Sequence, residues 1–248
     1  MHLIIEDLPI KIKASASREH ASSSNMWFSA FTCLSALIMA PGIFATSNIL
    51  HSTLVRRFQH PVFPPTDNAP AFCNKLDCPV FTVVNKTEDY EERQYVASNW
   101  VTTNEQGVDY ATASRVMFKK LYDYIDGTNV KHMKIKMTNP VLVQVEAGPG
   151  PACKSNFTQS FFVSTSMKDP PQPSDKTVFF SSFPSQKVFV RTFDGFATEP
   201  DWVKNAEALG KALGRDSRSF VQSSFFTAEY DSPFKVLNRH NEVWYIAM

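Results

Sequence analysis

The stretch "YEERQYVASNWVTT", residues 90–103, decides how this chain folds. Valine, threonine and aromatic residues dominate it, which is strand composition, and its charges gather at one end. Asp89, Glu91 and Glu92 form an acidic run there. Successive strand residues point to opposite faces, so these carboxylates make no converging acid–base pair and read as solvated charge. The preceding "PVFTVVNKT" reads as another strand.

Working outward, residues 109–125 carry helical periodicity and stop at "DGTN", residues 126–129. Two strand-like runs follow, "MKIKMTNPVLVQVE" and "QSFFVSTSM", separated by the turn-rich "AGPGPACKSN". After the loop "KDPPQPSDK" and the run "TVFFSSFP", the order repeats. A strand "KVFVRTFDG", a helix over residues 198–213, and strands "SSFFTAEYD" and "NEVWYIAM" come in turn. Thr198 fits an N-cap with Glu199 and Pro200 in the first turn, and Trp202, Ala206, Leu209 and Leu213 share one face. Each half is therefore strand, helix, strand, strand. The expected fold is α+β, two βαββ units joined into a distorted antiparallel β-barrel with two helices packed outside.

With 43% hydrophobic and 20% charged residues in 248, the chain can bury a sizeable core. Lys+Arg 25 against Asp+Glu 24 leaves a formal charge of +1, so no global field favours nucleic acid. The 21 Phe, 7 Tyr and 4 Trp predict aromatic buried surface, which suits a flat apolar ligand. G-x-S-x-G, H-E-x-x-H and phosphate-binding glycine loops do not occur, and a binding role is expected rather than catalysis.

Residues 26–46, "MWFSAFTCLSALIMAPGIFAT", are uncharged and apolar. Pro41 and Gly42 near the end, followed by the small residues Ala45, Thr46 and Ser47, give the layout of a signal peptide with cleavage near Ala45 or Ser47. The alternative is an uncleaved single-pass anchor, which would tie the protein to a membrane with its main domain exported. Residues 1–25 read as an extension, with Met26 as a possible true start, and residues 48–77 as a proline-rich linker to a domain over 78–248. Export agrees with sequons at Asn85 and Asn156. Cys73, Cys78 and Cys153 then lie in the exported part; "CNKLDC" can close a Cys73–Cys78 disulfide, leaving Cys153 as a spare thiol, and the plainer reading is three unpaired cysteines. No second cysteine or histidine pair stands at ligand spacing, so a metal site is not expected.

The segments "CPVFTVV", "YEERQYVASNWVTT", "KIKMTNPV", "DPPQPSD", "VFVRTFDGF" and "YDSPFKVLNRHNEVW" occur in the order seen in the SOUL haem-binding-protein family, which the chain resembles over residues 78–248. The resemblance implies a duplicated βαββ barrel that binds haem or another tetrapyrrole non-covalently.

In the first helix Tyr110, Met117, Leu121 and Tyr124 form the core stripe, with Ala113 and Ile125 at its edges. Arg115, Lys119 and Tyr122 share another side, with Ala111 and Phe118 at the border. Aromatic surface beside cations suits a macrocycle with propionates. In the family the corresponding face lines the ligand groove, and Arg115, Phe118, Leu121 and Tyr122 are the matching positions. The plainer reading is a solvated face, with Lys119 paired to Asp123 and Phe118 in the core. For an axial ligand only His132 and His240 lie inside the domain. Gln94 stands where one family branch carries a histidine, so binding without a strong axial bond is expected. The alternative function is an extracellular protein-interaction module, or a carrier of another apolar small molecule, on the same fold.

Overall fold

The computed structural model describes residues 69–148 and 153–248. The apolar run, most of the proline-rich linker and the segment before them lie outside the described residues. Among the described residues no helix is long and apolar enough to cross a membrane.

Among the described residues nine strands form one antiparallel sheet in the order β1-β2-β7-β9-β8-β4-β5-β3-β6. They are β1 (Phe81–Lys86), β2 (Glu91–Tyr95), β3 (Ser98–Gly107), β4 (Val141–Glu146), β5 (Ser155–Phe162), β6 (Phe179–Phe183), β7 (Gln186–Phe193), β8 (Phe225–Glu229) and β9 (Asn241–Ile246). Helix α1 (Tyr110–Ile125) follows β3, and α2 (Glu199–Arg215) follows β7. The duplication is real: β3-α1-β4-β5 and β7-α2-β8-β9 are equivalent units that meet where β4 pairs with β8, Val143 opposite Thr227. The sheet curls into a half-barrel with both helices on one face.

Residues 90–103 are not one long strand. The ladder breaks at Val96 and Ala97; β2 pairs with β7 of the second unit, while β3 pairs with β5 of its own. The second unit does the converse, since β6 pairs with β3 while β7 pairs with β9. Each unit thus lends its leading strand to the other, which knits the duplicated halves together.

Within "MKIKMTNPVLVQVE" only Val141–Glu146 is strand. Pro140 has no N–H for a ladder, and upstream amides are used elsewhere: Ile135 N–H donates to the Ile125 carbonyl at 2.7 Å, and Asn139 N–H to that of Asp77 at 2.9 Å. Asp109 caps α1 by accepting from Thr112 N–H at 2.6 Å, and Asp201 accepts from Thr198 N–H at 2.9 Å at the start of α2. Past α1, Gly127 takes the positive φ of 121° that turns the chain away.

Apolar side chains fill both faces. Met117 of α1 and Trp202, Leu209 and Leu213 of α2 meet Phe157, Phe225 and Tyr245 beneath the helices. On the other face Trp100, Leu142, Phe226 and Trp244 pack together. The stripe expected on α1 and the face expected on α2 are buried in full.

The boundary drawn at Cys78 falls inside packed structure. A 3-10 turn, Ala71–Cys73, lies against the sheet, and the Cys73–Cys78 disulfide closes the loop behind it. Phe72 stacks on His240, and Asn74 donates to Asp231 at 2.8 Å. Cys153 is disulfide-bonded as well, so it is no spare thiol.

Candidate functional site

Helix α1 rests on β3 and β5 through its buried stripe. Leu121 is 0% exposed, among Val101, Phe161 and Tyr124, so it belongs to the core and offers no surface to a ligand. The aromatic surface comes instead from Phe118, 39% exposed, and Tyr122, 48% exposed. These residues lie four apart on one helix face, with ring centroids 6.0 Å apart and planes within 17°. Phe118 also sets its ring edge-to-face on buried Phe161 of β5, at 5.4 Å. The strip is therefore braced by the core and held at a fixed tilt.

Arg115 and Lys119 flank it, both exposed. Among the described residues Arg115 bonds to its own helix, through the Ala111 carbonyl at 3.3 Å and Thr112 Oγ1 at 3.5 Å. Lys119 pairs with Asp123 at 2.7 Å, as the plainer reading expected. Neither contact is buried, and exposed pairs of this kind are worth less than about 1 kcal/mol, so both cations can turn to an anionic ligand. A planar apolar molecule with carboxylates at its edge matches this surface.

Between Tyr95, Trp100, Phe183 and Trp244 only about 10 Å³ is open, too little for any macrocycle.

Two of the three candidate axial positions, Gln94 and His240, are held away from the α1 surface. Gln94 lies on β2, separated from β5 by four intervening strands, and its amide donates to Ser185 Oγ at 3.1 Å. His132 is exposed in the turn after α1, with a positive φ of 49°. His240 is engaged internally, with Phe72 flat against its ring at 4.2 Å and Nε2 2.7 Å from Glu242 Oε1.

That histidine belongs to a buried network that the sequence reading missed. Glu242 also receives Arg93 at 3.0 Å, and at 2.8 Å both the Tyr230 hydroxyl and the Trp244 indole N–H. Arg93 continues to Glu91 at 2.8 Å and stands over the Phe81 ring at 4.4 Å. Burial pushes the Glu242 carboxyl up, but the His240 hydrogen bond and the Arg93 charge outweigh it and hold it below the usual carboxylate value. The acidic run is likewise paired rather than solvated. Glu92 is buried against Lys187 at 2.9 Å, and Asp89 meets Arg215 at 2.9 Å. The opposite-face argument does hold, since Glu91 and Glu92 serve different sides of the sheet. The available signal was Arg93 itself, a cation placed on the same strand parity as Tyr95.

Glu229, at the end of β8, is held above the usual carboxylate value by burial, opposed by the Arg239 charge. Arg239 closes the loop before β9 by donating to the carbonyls of Ser232 and Lys235 at 2.7 and 2.8 Å.

Comparison with known proteins places this geometry in context. The SOUL heme-binding protein family model matches residues 76–246. Heme-binding protein 2 of Homo sapiens is 41% identical over 158 residues, covering 63% of this chain and 77% of the relative. Heme-binding protein 1 of Xenopus tropicalis is 30% identical over 158 residues, covering 63% and 83%. Among solved structures, the EcmrR–DNA complex overlays with a TM-score of 0.51 at 7% identity, covering 64% of this chain and 57% of that one; the likeness is one of fold.

Proposed function

Because the chain belongs to the SOUL heme-binding protein family, we propose that it binds haem, or a closely related tetrapyrrole, on the outer face of α1. Phe118 and Tyr122 lie under the macrocycle, and Arg115 and Lys119 take its propionates. The observation that carries this reading is the exposed, nearly parallel Phe118–Tyr122 pair braced on Phe161 and flanked by two cations. A folded domain that leaves two such rings in water has surface suited to an apolar partner. Binding rests on apolar burial and charge rather than on an iron bond, because His240 is committed to Glu242 and Gln94 lies on a distant strand. The role is one of binding or carriage, not catalysis.

We also propose that the domain works outside the cytosol. The Cys73–Cys78 disulfide and the exposure of both sequon asparagines, Asn85 and Asn156, support this, together with the apolar residues 26–46. Amino-terminal sequencing of protein recovered from culture medium separates a cleaved signal peptide from a retained anchor.

Haemin titration of the chain, followed at the Soret band, tests the site. Saturable binding that weakens in Phe118→Ala and Arg115→Glu is expected. No saturable shift, or equal affinity in all three proteins, would overturn it. In the latter case, a stoichiometric protein recovered by co-purification and mass spectrometry, with no tetrapyrrole, would favour an interaction module.

A further inference from the structure

A separate cavity lies beneath the carboxyl end of α1. Its volume is about 90 Å³, and its walls include Val101 of β3, Ile125 of α1, Phe161 of β5, and Ile135, Met137 and Met167 from the connecting segments. Phe161 is a partition: one side lines the cavity, and its ring receives Phe118 edge-on at 5.4 Å. The void is therefore distinct from the aromatic strip.

Water gains little here. A buried water needs two to four polar partners, and apolar cavities larger than one water stay dry and accept hydrocarbons instead. Side chains facing an unfilled void lose dispersion contacts on that side, so a guest that fills it restores them. Met137 and Met167 are unbranched thioethers, able to adapt their shape to a guest. The mouth differs in character, with Asp77, Lys136, Ser164 and Ser166 lining it. Ser164 Oγ donates to Asp77 Oδ2 at 2.5 Å and lies 2.7 Å from Ser166 Oγ, so hydroxyl and carboxylate groups stand where a polar head would rest.

We propose that this cavity binds the aliphatic end of a small amphiphile, whose polar head remains at the Ser164–Ser166 mouth. Both the apolar walls and the polar rim are required by such a molecule, whereas a purely polar ligand would leave the walls unfilled. A guest here would also fasten residues 135–137 to α1, adding to the bond from Ile135 N–H to the Ile125 carbonyl.

The test uses the full chain with 13C-methyl-labelled methionine and 1-hexanol as probe. The Met137 and Met167 signals, assigned through Met137→Leu and Met167→Leu, should shift saturably while methionines elsewhere do not. Hexanol protons should show intermolecular NOEs to those two methyls. Val163→Phe fills the cavity from the segment just after β5 and Ile135→Phe fills it from the segment after α1; whichever folds should bind hexanol at least tenfold more weakly. Absence of saturable shifts and NOEs at Met137 and Met167 would overturn the proposal, and so would undiminished binding in a folded filler. No tetrapyrrole is involved, so the outcome is independent of the haemin titration.

Discussion

Arg93 on β2 and Glu242 on β9 meet at 3.0 Å across the intervening strand β7, with side chains only 2% and 0% exposed. A buried pair is stable only if its remaining donors and acceptors are also satisfied. Here Glu91, Tyr230, Trp244 and His240 complete it. Glu242→Gln leaves the Arg93 charge without its buried partner and should destabilise the fold by about 3–5 kcal/mol. Urea denaturation at neutral pH measures this; a loss under about 1 kcal/mol would mean that water or rearrangement solvates the guanidinium. Glu242 also shapes the acid limb. Its folded value lies below its unfolded value, so the stabilisation is present above the unfolded carboxylate range near pH 4.3 and fades as pH falls through the folded value. The Gln variant should lose less stability than the parent on acidification.

The disulfide next to this network makes a second prediction. Cys73–Cys78 closes a short loop, and loop entropy alone assigns such a closure about 2 kcal/mol. Phe72 adds ring contacts to His240 at 4.2 Å and Tyr230 at 4.9 Å. Cys78→Ser should therefore lower stability by about 2 kcal/mol and speed hydrogen exchange at the Cys73 and Leu76 amides, which bond within the turn at 2.9 Å. Unchanged exchange at both amides would show that packing alone holds the turn.

The duplicated architecture and both helix faces were legible because they depend on periodicity, which a single sequence carries. The break at Val96 was not. Nothing between Tyr95 and Ser98 has turn composition, and the strand exchange that requires the break is a long-range pairing, with Glu91 opposite Val190. Likewise, Leu121 matched a family ligand position and a core position at once, and only packing against Phe161 separates the two. Arg93 and Glu242 lie about 150 residues apart in sequence, so no local pattern could disclose their pairing.

Glu229 predicts the reverse pH behaviour to Glu242. Burial raises its folded value above the unfolded one, so between the two the native state binds more protons and stability falls as pH rises. Glu229→Gln removes that penalty. Its melting temperature should exceed the parent's at pH 7, and the gap should close near pH 4, where the unfolded carboxylate is itself largely protonated. A gap of the same size at both pH values would place the effect in packing rather than ionisation.

Leu121 and Tyr122 adjoin on α1 but project about 100° apart, one into the core and one to solvent, and this separates stability from binding. Leu121 is fully buried, so Leu121→Ala should destabilise by about 2–5 kcal/mol through lost transfer energy and the cavity left behind. Haemin affinity of the fraction that remains folded should stay near the parent's. Tyr122 is 48% exposed and has its ring beside Phe118, so Tyr122→Ala should cost under about 1 kcal/mol of stability. It should nonetheless weaken haemin severalfold, since the macrocycle loses one of its two rings. Urea denaturation and Soret titration of both variants give four numbers, and the reading requires them to split in this crossed manner. Equal affinity in Tyr122→Ala and the parent would remove Tyr122 from the site. Weakened haemin binding by folded Leu121→Ala alone would instead mean that the ligand opens the helix–sheet interface, with the macrocycle between α1 and β5 rather than on the outer face of α1.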